Sequence, residues 1–273
     1  MPTPPIPVRV RPLAVALAAL ATAAAGPTTR PATKPAPTDD GRAIFFDTFD
    51  ESSRGPRVRN RVVDAPPAGM GYTTDTPFGY ELKNWIIADA EADGPRRSFW
   101  CVPETADGKV EAFARQAARS HDSIAFVKTQ LPPDAARYAI EFRQWCNDND
   151  YIGFVLGASN PEMKHDGVEF GYERQEPGTD NTVDAVHHRG ALGKGKIDGH
   201  AAMKRWAAHR IDVDLAAKRV RWTQDGQTLL EGDAPALNPG GHFGIRQRYE
   251  RGTRYDDVKI KIPHPAAPPT ENH

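Results

Sequence analysis

Hydrophobic and polar residues alternate in short runs along most of the chain, and each run is closed by Gly, Asn, Asp or Pro. A period of two marks strands with one face buried and one wet. It predicts strands over 43–49, 138–146, 151–157, 167–174, 208–214, 219–223, 227–231, 242–248 and 255–262. Residues 111–120 are compatible with a helix, but no long amphipathic helical period occurs. Two hairpins are marked: 215–218 joins one pair of strands, and 224–226, with its Asp225-Gly226 step, turns the next. Residues 50–80 hold Gly, Pro, Arg54, Arg57, Arg59, Arg61, Tyr72, Phe78 and Tyr80, and read as a long loop of the kind that carries function. The expected fold is all-β, a two-sheet antiparallel jelly-roll sandwich.

Both ends depart from the alternation. Arg9 and Arg11 precede an apolar run from Leu13 to Leu20 that closes on Ala23, Ala24 and Ala25, the layout of a secretory signal peptide over 1–25 with cleavage near Ala25 or Gly26. The run is too short to span a bilayer, and no second long apolar stretch follows it. No cysteine stands at the cleavage point to take a lipid anchor, so a free secreted or periplasmic protein is expected. Residues 26–40 read as a Pro/Thr-rich linker, 41–263 as the folded domain and 264–273 as a disordered tail.

With 273 residues, 39% of them hydrophobic, the chain is long enough for one large core. The formal charge is −1, and loss of the two cations Arg9 and Arg11 takes it to −3, which argues against a general nucleic-acid binder. Cys101 and Cys146 are the only cysteines; export permits a bridge, and two buried thiols serve a large core equally well.

The segments FFDTFD (45–50), Trp85, Trp100 and Asp107-Gly108 resemble the opening strands of bacterial concanavalin A-like lectin and glucanase domains found beside polysaccharide-degradation genes. RWAAHRIDVDLAAKRVRWTQDGQTLLEGD (205–233) and GGHFGIRQRYERGTRYDDVKIKI (240–262) resemble their closing meander and final strand. VEFGYERQ and VDAVHHRG are similar to strands of the jelly-roll family linked to rhamnogalacturonan utilisation. The resemblance implies this fold and a carbohydrate ligand; its motifs are structural, so it implies no particular activity.

Within each predicted strand the apolar set faces the core and its alternates face outward. Ile140 and Phe142 inward leave Glu141, Arg143 and Trp145 outward; Ile152, Phe154 and Leu156 inward leave Tyr151, Gly153 and Val155 outward. Val168, Phe170 and Tyr172 inward leave Glu169, Gly171 and Glu173 in line. Retaining endoglucanases of the resembled fold carry E-x-D-x-E, with the outer carboxylates as nucleophile and acid/base; here Gly171 replaces the middle Asp. Glu169 and Glu173 are the carboxylate candidates for hydrolysis, against the reading of an ordinary wet strand face.

His187, His188 and Arg189 form a second polar cluster, of which His188 and Arg189 are candidates for uronate β-elimination, against a strand end with exposed histidines. His242, Arg246 and Arg248 share a strand face, so Arg246 and Arg248 join Glu141, Arg143, Trp145 and Tyr151 as candidate saccharide contacts. The polar residues are expected together on one concave face. No metal-ligand spacing stands out; 147–150 offers oxygen ligands that could hold calcium, and otherwise reads as a turn. Nucleophile-elbow, P-loop and dinucleotide motifs are absent.

The reading is a secreted domain that binds or processes a polysaccharide or oligosaccharide, without nucleic acid or a membrane span. A polysaccharide-cleaving enzyme, glycoside hydrolase or uronate lyase, is the alternative, and a structural surface protein a further one.

Overall fold

A computed structural model describes residues 41–59, 78–90, 100–104, 107–116, 122–145, 151–174, 183–185, 205–248 and 253–263. In chain order the strands are β1 (Gly41–Asp47), β2 (Arg54–Arg59), β3 (Phe78–Leu82), β4 (Trp85–Asp89), β5 (Trp100–Glu104), β6 (Ala114–Gln116), β7 (Ser123–Val127) and β8 (Arg137–Trp145). They continue with β9 (Tyr151–Ala158), β10 (Val168–Arg174), β11 (Val183–Ala185), β12 (Trp206–Asp214), β13 (Arg219–Gln224), β14 (Gln227–Asp233), β15 (His242–Arg248) and β16 (Arg254–Pro263). Among the described residues the only helical piece is a 3-10 turn at Glu51–Ser53, capped by the Asp50 carboxylate.

These strands make a two-sheet antiparallel jelly-roll sandwich. Ten form one sheet in the order β14-β13-β12-β8-β16-β6-β5-β3-β2, with β1 pairing β16 on the side away from β8. Six form the other, in the order β11-β10-β9-β15-β7-β4. The first strand meets the last directly, Gly41 opposite Pro263, so the first and last described residues of the domain share one part of the larger sheet.

The core lies between the sheets and follows the alternation. Ile140 and Phe142 of β8, Ile211 and Val213 of β12 and Trp222 of β13 meet Ile152 and Phe154 of β9, Phe170 of β10 and Phe243 and Ile245 of β15. Phe154 packs 5.1 Å from Phe142 and 5.2 Å from Trp222, ring centre to ring centre. Each such buried side chain contributes about 1.5–3 kcal/mol through area withdrawn from water. The hairpin expected at 224–226 is a two-residue turn, with Asp225 at φ 49° and Gly226 at φ 83°, the left-handed pair that matches strand twist.

Several expectations change. Residues 50–80 are not loop throughout: β2 and β3 pair at one edge of the larger sheet. Arginines disguise that pairing from the hydrophobic pattern, because Arg57 lies 4.1 Å over the Phe78 ring and Arg54 5.7 Å over Tyr80. Residues 111–120 are not helical where described: β6 bridges β5 and β16. Strands β4, β5 and β11 hold Trp85, Trp100 and the start of VDAVHHRG, which read as strands by resemblance alone, and β7 was not foreseen; β5 and β7 are buried on both faces, so alternation is absent from them. Cys101 is buried on β5, and Cys146 falls outside the described residues. No helix among the described residues is long and apolar enough to cross a membrane.

Candidate functional site

Register decides what gathers on the outer face of the six-stranded sheet. Glu169 of β10 stands opposite Val155 of β9, Gly171 opposite Gly153, and Gly153 opposite Arg246 of β15. Tyr151, two residues before Gly153 on the same face, leans over that bare glycine; a Cβ there would meet its hydroxyl at 2.7 Å. The hydroxyl thereby donates to Glu169 Oε1 at 2.6 Å. Arg246 Nη1 donates to both Glu169 oxygens, at 2.8 and 3.1 Å, and its Nε donates to Asp122 at 2.7 Å, with Nη2 on the second Asp122 oxygen. His165 Nε2 lies 3.1 Å from Glu169 Oε2.

Glu169, His165, Tyr151 and Arg246 are largely buried, with His165 6.0 Å from the Phe126 ring and Glu169 opposite Val155. Burial works against the Glu169 anion, yet the His165 hydrogen bond, the Arg246 charge and the Tyr151 hydroxyl outweigh it and hold the carboxyl down to about 2. The Tyr151 phenol is pushed up by burial and by the neighbouring Glu169 charge, so it stays a hydrogen donor. Arg246 stays charged, because its two carboxylates overcome desolvation. Glu169 is therefore an ionised, fully engaged acceptor at neutral pH, without a proton to deliver. His165 Nδ1 is the exception: it is buried and has no hydrogen-bond partner among the described residues.

The E-x-G-x-E pattern has a steric cause. A Cβ at Gly171 would stand 2.1 Å from the Ile152 carbonyl oxygen and 2.6 Å from Gly153 Cα, so the tuning Asp of E-x-D-x-E has no room here. The Glu173 backbone pairs with Ala185 of β11; its side chain, with His187, His188 and Arg189, lies outside the described residues. The same is true of the 147–150 loop. Arg248 is exposed at the end of β15, opposite Tyr151. Among the described residues no group of three His, Cys, Asp or Glu side chains gathers in a way that could hold a metal ion.

Glu141, Arg143 and Trp145 do not join this cluster. They project from the outer face of the ten-stranded sheet, across the shared core from Glu169, so the single polar face expected from the sequence is two faces on opposite sides of the sandwich. Alternation assigns inside and outside along a strand, but not which sheet the strand joins. Glu141 is held by Arg210 at 2.7 Å and Lys261 at 2.9 Å, part of the ordinary charge pairing of a wet surface.

Around Trp145 the surface differs. Trp145 stands opposite Trp206 of β12 on one flank and Arg254 of β16 on the other. The Arg254 guanidinium lies between two rings, 4.6 Å from Trp145 and 4.9 Å from Phe113, and Phe113 packs 6.0 Å from Trp206 at 63°. Arg143 lies 4.9 Å over the Trp206 ring. Phe113, Trp145 and Trp206 are half-buried, so three aromatic side chains reach solvent together, Trp145 and Trp206 from the paired strands β8 and β12 and Phe113 from just before β6. Sequence reasoning missed Trp206, Phe113, Arg254 and, on the other face, His165. Trp206 alternates with Ala208 and Arg210 as an outward residue, a usable signal; the others depend on contacts between segments far apart in the chain.

No protein-family model matches the chain, and no curated protein does. Among solved structures, a Bacillus subtilis protein of unknown function with a galectin-like fold is similar at a TM-score of 0.47 and 10% identity, over 82% of this chain and 97% of that one. Lectin II from Ulex europaeus is similar at 0.43 and 10%, over 66% and 93%. A carbohydrate-binding module from Bacillus subtilis is similar at 0.41 and 9%, over 65% and 95%. The fold rests on the strand pairing above, and no function is carried over from these likenesses.

Proposed function

We propose that this is an exported carbohydrate-binding protein whose ligand lies on the outer face of the ten-stranded sheet. One observation carries the reading: Trp145 and Trp206, opposite each other on β8 and β12, form with Phe113 a half-exposed aromatic shelf steadied by Arg254 and Arg143. A sugar ring buries its C–H face on an aromatic ring and leaves its hydroxyls for polar neighbours, and such a rigid shelf costs little ordering on binding. Strands spaced about 4.8 Å apart set the aromatic groups at intervals suited to successive rings of a saccharide chain lying across them.

The test is a panel of pectic, algal and glucan polysaccharides, read by affinity electrophoresis and by tryptophan fluorescence. Retardation by at least one polysaccharide, lost in Trp145→Ala and Trp206→Ala, supports the reading. Unchanged mobility across the panel at millimolar oligosaccharide sinks it.

A second reading, cleavage on the six-stranded sheet, rests on one geometry: a histidine whose Nε2 faces an ionised carboxylate and whose Nδ1 has no partner among the described residues is a general base held in one tautomer, provided that substrate uncovers the buried Nδ1. Glu169 would orient His165 and Arg246 would steady Glu169. The same panel, assayed for reducing ends and for unsaturated uronates, decides it: products abolished by His165→Ala establish an enzyme, and the absence of products alongside retained binding leaves the lectin-like reading.

A further inference from the structure

Arginines on both sheets are closed on carboxylates at short range, Arg210 on Glu141 at 2.7 Å and on Asp212 at 2.8 Å among them. On the six-stranded sheet Arg246 is clamped by short contacts to two carboxylates, so its charge is spent within the protein. Arg57, at the edge of the larger sheet, is likewise closed on Glu104 at 2.7 and 2.8 Å. Arg143 is not closed in this way. Its contacts with Asp256 and Asp257 are long, 3.5 and 3.7 Å, both through Nη1, and 44% of its side chain is exposed.

Its acidic neighbours are themselves poorly placed to neutralise it. Asp256 and Asp257 stand where the β16–β8 register breaks, with Asp257 at a left-handed φ of 52°. Burial, and then the Asp257 charge, push the Asp256 carboxyl upward. The Arg143 guanidinium lies 4.9 Å over the Trp206 ring, a cation–π contact that keeps it beside the aromatic shelf.

We propose that the shelf takes an acidic saccharide, a uronate-bearing chain whose ring faces rest on Trp145 and Trp206 and whose carboxylate docks on the Arg143 fork. The inference rests on the shelf being the carbohydrate site, and adds the charge class of the ligand. A planar carboxylate in the shelf plane gives Arg143 two parallel N–H donations in place of two long ones, and charge-assisted forks of this kind discriminate strongly against a neutral partner.

The experiment uses the full chain and matched pairs of oligosaccharides: galacturonate, mannuronate and glucuronate oligomers, each against its carboxyl-reduced neutral counterpart, by calorimetry at low salt and at 0.5 M salt. At least one acidic oligomer is expected to bind about tenfold more tightly than its neutral partner, with the preference shrinking in high salt. Arg143→Gln should erase the preference, bringing each acidic oligomer to the affinity of its neutral counterpart measured on the same variant, Arg143→Lys should restore part of it, and Trp145→Ala should abolish both. Equal affinity within every pair, preference retained in Arg143→Gln, or no binding of any acidic oligomer overturns the inference. If neutral oligomers or glucans still bind in those cases, the carbohydrate reading survives; if nothing binds, both fail. Thermal unfolding of each variant separates loss of the site from loss of the fold.

Discussion

His209 shows how one buried residue writes a pH dependence into the fold. It lies in the core stacked on Phe142 at 5.0 Å, with Trp222 Nε1 donating to its Nδ1 at 3.1 Å. Burial drives its pKa down to about 3, so the native state holds it neutral while the unfolded chain takes up a proton near 6.5. The unfolded state then binds more protons below that pH, and stability falls as pH drops. Between pH 7 and pH 5 the loss should be about 2 kcal/mol. Denaturant titrations at the two pH values check this, with His209→Gln, which keeps an acceptor for Trp222, expected to flatten the slope; an unaltered slope in that variant would assign it elsewhere. Glu169 acts lower on the scale. Its carboxyl, held at about 2 in the fold, contributes stability above the ordinary glutamate range that disappears as pH falls from there toward 2. Arg246→Met removes the cation between Glu169 and Asp122 and leaves the buried Glu169 carboxylate with only its Tyr151 and His165 contacts, at a cost of about 3–5 kcal/mol. A loss below 1 kcal/mol in urea unfolding at pH 7 would show that the cluster is solvated.

At the scale of the element, the paired glycines of β9 and β10 explain why the Glu169 cluster sits where it does. Gly153→Ala pushes against the Tyr151 ring, a side chain that can swing away by giving up its bond to Glu169; about 2 kcal/mol should be lost. Gly171→Ala pushes against the backbone of β9, which cannot swing, so a loss of about 3 kcal/mol and weaker amide protection along β9 and β10 are expected. Hydrogen exchange on both variants tests the order, and an equal or reversed ranking would mean that the strands slide apart easily. Of the strands that were legible in the sequence, β8 and β12 have one wet face and β13 and β14 flank a turn as plain as Asp225-Gly226, whereas β9 and β15 are buried on both faces and were legible because Gly, Tyr, His and Arg alternate with apolar residues along them. Those that alternation did not mark, β5 and β7, are buried throughout, and β2 hides its pairing under arginines stacked on Phe78 and Tyr80. The outward direction of Glu169, Tyr151, Arg246 and Trp145 was readable; the grouping was not, because a period of two carries no information about which sheet a strand enters.

For the whole molecule, that grouping separates stability from binding. The outer face of the smaller sheet carries a buried, self-satisfied ion cluster that ties β9, β10, β15 and the residues before β7 together. The outer face of the larger sheet carries the aromatic shelf, and a core about 10 Å thick lies between the two sheets. Effects at such separation add when no partner is shared. Tyr151→Phe, which deletes one donor to Glu169, should therefore cost about 1.5–3 kcal/mol of stability and leave saccharide affinity unchanged. Trp145→Ala should cost about 1–2 kcal/mol, through lost packing and the contact with Arg254, and abolish affinity. The double variant should lose the sum of the two stability terms to within about 0.5 kcal/mol and bind no worse than Trp145→Ala alone. Urea unfolding and calorimetry on the four proteins measure every quantity needed. Were Tyr151→Phe to weaken binding as far as Trp145→Ala, the ligand would have to reach the Glu169 face, and the site would move to the smaller sheet, where His165, its Nδ1 unpartnered among the described residues, waits beside the carboxylate.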